Sequence, residues 1–271
     1  MPETRRLGTL PQGYPRLLGS PVDTAIHTDA DGLVAGAVWI PVVDGELPAY
    51  RAMPASGGRH PVLLIVQEVF GVDEYLQDVC RRAAHEGFLA IAPELFARQG
   101  KPGEVASRQD LFKIVLSAPD AQVLADLDAC VAWAGASDGD ADRVGVTGFC
   151  WGGRIVWLYA AHTRRLKAGV AWYGRLVGDT DPHHPRHPVD VAAELHAPVL
   201  GLYGAADEAI PLDTVERMKT ALAAADSPSE FVVYDGAPHA FHADYRPSYR
   251  AAAADDGWAR LLAWLRRHGA A

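Results

Sequence analysis

Cysteine is scarce in this sequence: Cys80, Cys130 and Cys150 are the only three among 271 residues. The odd count and wide spacing argue against a disulfide framework and are typical of a protein from a reducing compartment. No C-x-x-C pair is present. Cys80 and Cys130 fall in helical patterns without flanking glycines, so we expect both to pack in the interior.

Long apolar runs are also missing, and none approaches the length of a membrane span. The pair Arg5-Arg6 is not followed by the apolar run that an export signal needs. Acidic residues outnumber basic ones, giving a net charge of -9, so no basic surface predicts nucleic-acid binding. We therefore expect a cytoplasmic protein without a membrane or nucleic-acid partner.

Internal repeats, low-complexity tracts and linker-like segments are absent as well. With 49% hydrophobic residues, the chain is long enough to bury the core of one large domain. We predict one domain over residues 1–271, in which residues 1–60 form an irregular lead-in followed by a pair of strands.

Short apolar segments alternate with amphipathic segments along the rest of the chain. Continuous apolar runs such as 61–67 are typical of strands covered on both faces. Alternation with short connections predicts an α/β fold, with a mostly parallel sheet flanked by helices on both faces. The predicted strands are 33–41, 47–53, 61–67, 88–92, 143–147, 166–172, 198–203 and 230–234, and the predicted helices are 73–86, 108–117, 120–136, 152–163, 211–225 and 248–268.

The segment 144–154 contains the pattern Gly-Phe-Cys-Trp-Gly at 148–152, between a strand and a helix. This context is that of a nucleophile elbow, a strained turn that presents one side chain at the end of a sheet. Glycines on both sides leave the turn uncrowded. The elbow makes the Cys150 thiol the first candidate for the chemistry, although a cysteine between glycines can also be a small core residue.

Three more polar residues follow strands where ligand sites of open α/β sheets form. Asp207, His239 and Glu68 come after the strands that end near 203, 234 and 67. The order nucleophile, acid, histidine is that of α/β hydrolases. Asp207 precedes its rival Glu208 in the loop, and Gly236 and Pro238 restrain the loop of His239, which we favour over His242.

Four segments resemble the dienelactone hydrolase family of cysteine-dependent α/β hydrolases: 67–72, 148–153, 203–207 and 239–241. The resemblance covers the chain from about Pro61 to its end. It implies an α/β-hydrolase fold, with Cys150 as nucleophile, His239 as base and Asp207 as the residue that orients it. It also implies an oxyanion hole from the backbone N–H groups of Trp151 and Val69.

Glu68 is the unusual member of the set, because a carboxylate beside a thiol opposes its ionisation. The resemblance implies that Glu68 helps to remove the thiol proton when substrate arrives; the alternative is a structural carboxylate bonded to loop amides. The family also carries an arginine four residues after the histidine to meet a substrate carboxylate. Here that position is Ala243, which leaves the arginines 108, 154, 175 and 246 as candidate substitutes.

Aromatic residues near strand ends suggest a pocket lined by Phe70, Trp151, Trp172 and Tyr173, although core packing explains them equally well. Phe70, Tyr173 and Arg108 are the candidate substrate-binding residues. The histidines 183, 184 and 187 are expected in a solvated surface loop, with a metal site as the lesser alternative. The last helix is expected to pack on the core, or else to form a dimer face.

The sequence thus predicts a carboxylic ester hydrolase resembling carboxymethylenebutenolidase. It would open a small ester or lactone through a cysteine acyl-enzyme, without cofactor or metal, as a monomer or homodimer. Two alternatives keep the fold: a catalytically silent ligand-binding protein, or a redox sensor in which Cys150 is oxidised to sulfenic acid.

Overall fold

A computed structural model describes residues 4–271 of the chain. The first part of the lead-in, residues 1–3, lies outside the described residues. The strands are β1 Leu33–Val42, β2 Gly45–Pro54, β3 His60–Val66, β4 Leu89–Pro93, β5 Gly139–Phe149, β6 Leu166–Trp172, β7 Val199–Gly204 and β8 Glu230–Tyr234. The α-helices are α1 Glu74–His85, α2 Arg108–Leu116, α3 Asp120–Gly135, α4 Trp151–His162, α5 Leu212–Ala224 and α6 Ala251–Arg267.

The strands form one sheet in the order β1-β2-β4-β3-β5-β6-β7-β8. From β4 to β8 every neighbouring pair is parallel, while β2 pairs antiparallel with both β1 and β4. The carboxyl ends of β3, β5, β7 and β8 therefore meet at one edge, which is where an open α/β sheet forms its ligand site. The predicted fold class is confirmed.

Two hydrophobic clusters cover the two faces of the sheet. Apolar residues of α3, α4 and α5 pack on one face, together with buried Cys130. Those of α1 and α6 pack on the other, together with buried Cys80. Both packing predictions for these cysteines are confirmed, and α6 contributes core residues as expected. The prediction of one domain over residues 1–271 stays a prediction.

The structure differs from the predicted elements mainly at their boundaries. β5 begins at Gly139, four residues before the predicted start, because Gly139-Asp140 already pair with the beginning of β3 across a bulge. Three short 3-10 helices, Arg16–Leu18, Pro102–Glu104 and Pro188–Glu194, occupy segments predicted as irregular. Across residues 4–271, the helices are all too short or too polar to cross a membrane.

Candidate active site

Cys150 lies on the sharp turn between β5 and α4. Its backbone has φ 54° and ψ -113°, a left-handed conformation that non-glycine residues adopt only where the surroundings impose it. The flanking glycines permit the turn: a Cβ on Gly148 would lie 2.4 Å from the Gly152 carbonyl oxygen, and one on Gly152 would lie 2.4 Å from that of Val66. The backbone thus forms the predicted elbow and projects the thiol above the sheet edge.

The structure brings Cys150, His239 and Asp207 into one hydrogen-bonded row. His239 Nε2 lies 3.1 Å from Cys150 Sγ, and His239 Nδ1 lies 2.8 Å from Asp207 Oδ2. Asp207 is buried, and its other carboxylate oxygen accepts hydrogen bonds from the N–H groups of Ala209 and Ile210. These bonds fix the carboxylate, which in turn fixes the orientation of the imidazole.

The two rival candidates, Glu208 and His242, lie outside this hydrogen-bonded row. Glu208 is exposed to solvent. His242 is buried, and its Nδ1 lies 2.6 Å from the hydroxyl oxygen of Tyr75. Burial, reinforced by the nearby Arg82 charge, lowers the pKa of His242 well below its ordinary value of 6.5. Because His242 is buried and bonded to Tyr75, it is a residue of the core and not the base of this row.

The surroundings of His239 stabilise its protonated form once Cys150 has given up its proton. Burial opposes the charge, but the sulfur of Cys150 and the carboxylate of Asp207 outweigh burial and raise the pKa of His239 above its ordinary value. An imidazole with a raised pKa holds a proton readily. His239 can therefore act as the general base that accepts the proton of the neighbouring thiol.

Glu68 lies at the end of β3, deeply buried beside the row. Its Oε2 accepts a hydrogen bond of 3.3 Å from the Tyr245 hydroxyl, and its Oε1 lies 3.7 Å from the Arg246 guanidinium. Oε1 has no hydrogen-bond partner in the described part of the chain. The thiol of Cys150 is hydrogen-bonded to His239, not to Glu68, so Glu68 has free acceptor capacity close to the site.

Two residues that line the same pocket as Cys150, Val69 and Trp151, have backbone N–H groups without an acceptor anywhere from residue 4 to residue 271. Trp151 is the first residue of α4, so its N–H has no acceptor within the helix. The N–H of Val69, on the loop after β3, donates to no atom of residues 4–271. Free N–H groups at a helix start and an adjacent loop can together bind a developing oxyanion.

A pocket of about 500 Å³ opens above the thiol. Phe70, Trp151 and Tyr173 line it, as does Arg108 at its mouth. Trp172 does not line it but stacks on Phe149 inside the core, so for this residue the core-packing alternative is correct. Tyr173 is buried with φ 39°, and its hydroxyl has no hydrogen-bond partner among the described residues.

All four candidate arginines line this pocket, but two are already neutralised. Arg154 is buried and forms a bidentate ion pair with Asp120, in which the two N–O distances are 2.6 and 2.7 Å. Arg246 faces Glu68. Arg108 and Arg175 are exposed and form no ion pair within residues 4–271.

The histidine-rich loop is not the solvated segment expected. His183 is exposed, but His184 and His187 are buried. His184 bonds to the Asp181 carboxylate and the Ala118 carbonyl oxygen, and His187 Nε2 bonds to the Asp179 carbonyl oxygen. The loop is packed against the body because these ring nitrogens find partners there. Nowhere in 4–271 do three His, Cys, Asp or Glu side chains gather as a metal site would require.

The family model of the dienelactone hydrolase family matches residues 47–269. The chain belongs to the dienelactone hydrolase family. The match includes the elbow and the loops of Glu68, Asp207 and His239, so the resemblance seen in the sequence is confirmed.

Individual members of the dienelactone hydrolase family are similar over most of the chain. A Methylorubrum extorquens protein named "Putative carboxymethylenebutenolidase" is 60% identical, over 92% of this chain and 86% of its own length. A Salmonella typhimurium protein of the same name is 53% identical, over 96% and 97%. The crystal structure of a "Putative Dienelactone Hydrolase" from Klebsiella pneumoniae is 56% identical and superposes with a TM-score of 0.85, over 86% of this chain and 98% of its own.

One buried carboxylate that holds a loop of this site, Glu94, was not selected from the sequence. Glu94 directly follows β4 and is buried. Its Oε2 accepts a hydrogen bond of 2.8 Å from the N–H of Val72, and a Cβ on Gly71 would lie 2.6 Å from the same oxygen. Burial raises the pKa of Glu94 to about 7, although the N–H groups of Val72 and Phe96 oppose this shift. Glu94 followed a predicted strand just as Glu68 did, so the same criterion would have found it.

Glu94 holds the loop that carries Glu68 and Val69, which leads to a prediction. Replacing Glu94 by alanine should lower kcat for ester hydrolysis by about 10- to 100-fold, since the Val69 N–H loses its fixed position. Glu94→Gln should keep most of the activity, because its amide oxygen can still accept from Val72. Steady-state kinetics on both variants tests this.

The matched control for Glu94 is Asp126→Ala, which removes another buried carboxylate. Asp126 is paired with Arg98 and does not line the pocket. We expect this variant to unfold at lower denaturant concentration with kcat unchanged. Equal kcat losses in Glu94→Ala and Asp126→Ala would contradict a positioning role for Glu94.

Proposed function

We propose that this protein hydrolyses a carboxylic ester or lactone through a cysteine acyl-enzyme, like a carboxymethylenebutenolidase. The observation that carries the proposal is the row of Cys150, His239 and Asp207 at the floor of the pocket, with distances of 3.1 and 2.8 Å. Each residue type has a defined task in acyl transfer, and none of these tasks requires a cofactor. The substrate is a small molecule.

The proposed reaction has two halves. His239 takes the proton of Cys150, and the sulfur attacks the ester carbonyl carbon, while the N–H groups of Val69 and Trp151 bind the oxyanion. The C–O bond breaks, and His239 returns the proton to the leaving oxygen. Water then loses a proton to His239 and attacks the thioester carbon; the C–S bond breaks, the carboxylic acid leaves, and His239 returns the proton to the sulfur. Asp207 orients the imidazole throughout.

The two alternatives fit the site less well. A silent binding protein has no need of an imidazole held between a thiol and a buried carboxylate. A redox sensor commonly uses a resolving thiol beside the reactive one, whereas Cys80 and Cys130 are both fully buried. The scarcity of cysteine also supports the cytoplasm as the place of action.

Hydrolysis of p-nitrophenyl acetate tests the proposal. The wild type should release p-nitrophenol with turnover, and Cys150→Ala and His239→Ala should both lose this activity. Equal activity in all three proteins would mean that the assigned site is wrong.

Glu68 is proposed to assist removal of the thiol proton, with an effect that alkylation can measure. Its carboxylate opposes a negative sulfur while no substrate is bound. In Glu68→Gln we therefore expect faster alkylation of Cys150 by iodoacetamide near neutral pH, and a smaller response to a substrate analogue. Alkylation rates are measured from pH 6 to 9, with and without the analogue. Unchanged rates in both conditions would end this idea.

A further inference from the structure

The pocket above Cys150 has two chemically different walls. The segment 175–187 forms a polar wall that includes Arg175, Asp179 and His187. A second wall, formed by α2 and the 3-10 helix Arg16–Leu18, is apolar apart from Arg108 at the start of α2. The volume of about 500 Å³ is in the range of pockets that enclose ligands of drug size, about 300–1,000 Å³.

The apolar wall is continuous from the thiol to the solvent. Next to the thiol, Phe70 and Trp151 belong to a small hydrophobic cluster that also contains Leu111 and Val115 of α2. At the mouth, Phe112 and Leu116 lie on the same helix, and 48% and 56% of their surfaces remain exposed. Large apolar side chains exposed beside an apolar pocket indicate a surface that a ligand covers.

The position of His239 decides how the substrate is oriented, and therefore which of its parts lies along this wall. His239 must lie beside the leaving oxygen, because it returns the proton there. The oxyanion takes a second direction, towards the N–H groups of Val69 and Trp151. The acyl group takes the remaining direction, away from His239, where it is free to follow the part of the pocket that α2 lines.

We propose that the substrates are esters, or lactones with an acyl-side substituent, whose acyl group is an extended apolar chain or ring lying along α2. This inference rests on the proposed hydrolase function and adds the class of acyl group. A compact lactone with a short polar arm would leave most of the apolar wall without contacts. An extended acyl group covers Leu111, Phe112, Val115 and Leu116 in turn.

Acyl-chain length provides the first measurement. Each methylene removed from water favours binding by up to about fourfold. From p-nitrophenyl acetate through butyrate to hexanoate, kcat/KM of the wild type should therefore rise by about tenfold or more. A flat or falling series would overturn the inference.

The wall itself is tested with Phe112→Ser/Leu116→Ser. Both side chains are about half exposed and lie at the mouth, beyond the reach of an acetyl group, so acetate hydrolysis by each variant serves as its reference rate. We expect the ratio of kcat/KM for hexanoate to that for acetate to fall by about threefold or more, since the chain loses apolar surface to cover. Val43→Ser is the matched control: Val43 is fully exposed and does not line the pocket, and its replacement should leave the ratio unchanged.

The outcomes separate this inference from the proposed function. If acetate hydrolysis depends on Cys150 but the double variant lowers acetate and hexanoate equally, the acyl-wall inference is wrong and the hydrolase proposal stands. If hydrolysis of every ester persists in Cys150→Ala, the hydrolase proposal itself fails.

Discussion

Replacing Cys150 by alanine should lower kcat for p-nitrophenyl acetate by about 10³-fold or more. The variant keeps the oxyanion N–H groups and the pocket, but no atom remains that can form the acyl-enzyme. Alanine is smaller than cysteine, so the strained turn at φ 54° meets no new clash. The loss should therefore fall on kcat, with the unfolding midpoint close to that of the wild type.

The control for this loss is Cys130→Ala, at a cysteine of the same size that is fully buried in α3. Removing a buried side-chain atom should lower the free energy of unfolding by about 1 kcal/mol and leave kcat within about twofold. If Cys130→Ala reduced kcat as strongly as Cys150→Ala, the chemistry would not be specific to the elbow.

Replacing Asp207 by asparagine should have the second large effect, a decrease in kcat of up to about 10⁴-fold. The amide nitrogen can donate a hydrogen bond to His239 Nδ1, which places the ring hydrogen on Nε2, so that Nε2 cannot accept the thiol proton. Glu208→Gln is the matched control, because Glu208 is the adjacent exposed acid. Kinetics should separate the two variants, and a larger loss in Glu208→Gln would reverse the assignment.

Asp207→Asn should also change how the free energy of unfolding depends on pH. The pKa of His239 is raised in the folded protein, so the imidazolium contributes stability that is fully present below the unfolded pKa of about 6.5. This contribution is lost as the pH rises through the higher folded pKa. Asp207→Asn should lower that folded pKa. The difference in unfolding free energy between wild type and variant, from denaturant titrations, should therefore be larger at pH 6 than at alkaline pH.

The parts of this molecule that could be predicted from sequence are those fixed by local pattern. Buried parallel strands gave continuous apolar runs, such as residues 61–67, and the elbow showed itself by glycines on either side of Cys150. Asp207 and His239 were selected because each follows a strand, and the carboxyl ends of parallel strands meet at one edge of the sheet. Glu208 and His242, the rival candidates, were set aside because of their positions in the loops. In the structure Glu208 is exposed, and His242 is buried against Tyr75.

The remainder depended on contacts between distant segments. His184 looked solvated among prolines, but it bonds to the carbonyl oxygen of Ala118, 66 residues away in sequence, which no local pattern reveals. Trp172 and Tyr173 are adjacent, and only the turn at Tyr173 decides which ring faces the pocket. The start of β5 at Gly139 depends on pairing with His60, far away in sequence.

Intact-protein mass spectrometry after rapid mixing with an activated aryl ester tests the central claim most directly. The claim predicts a transient mass increase equal to the acyl group, located on the peptide that contains Cys150 and absent from Cys150→Ala. Ester turnover with no acyl adduct on Cys150 in rapidly quenched samples, or with the adduct on another residue, would contradict the account.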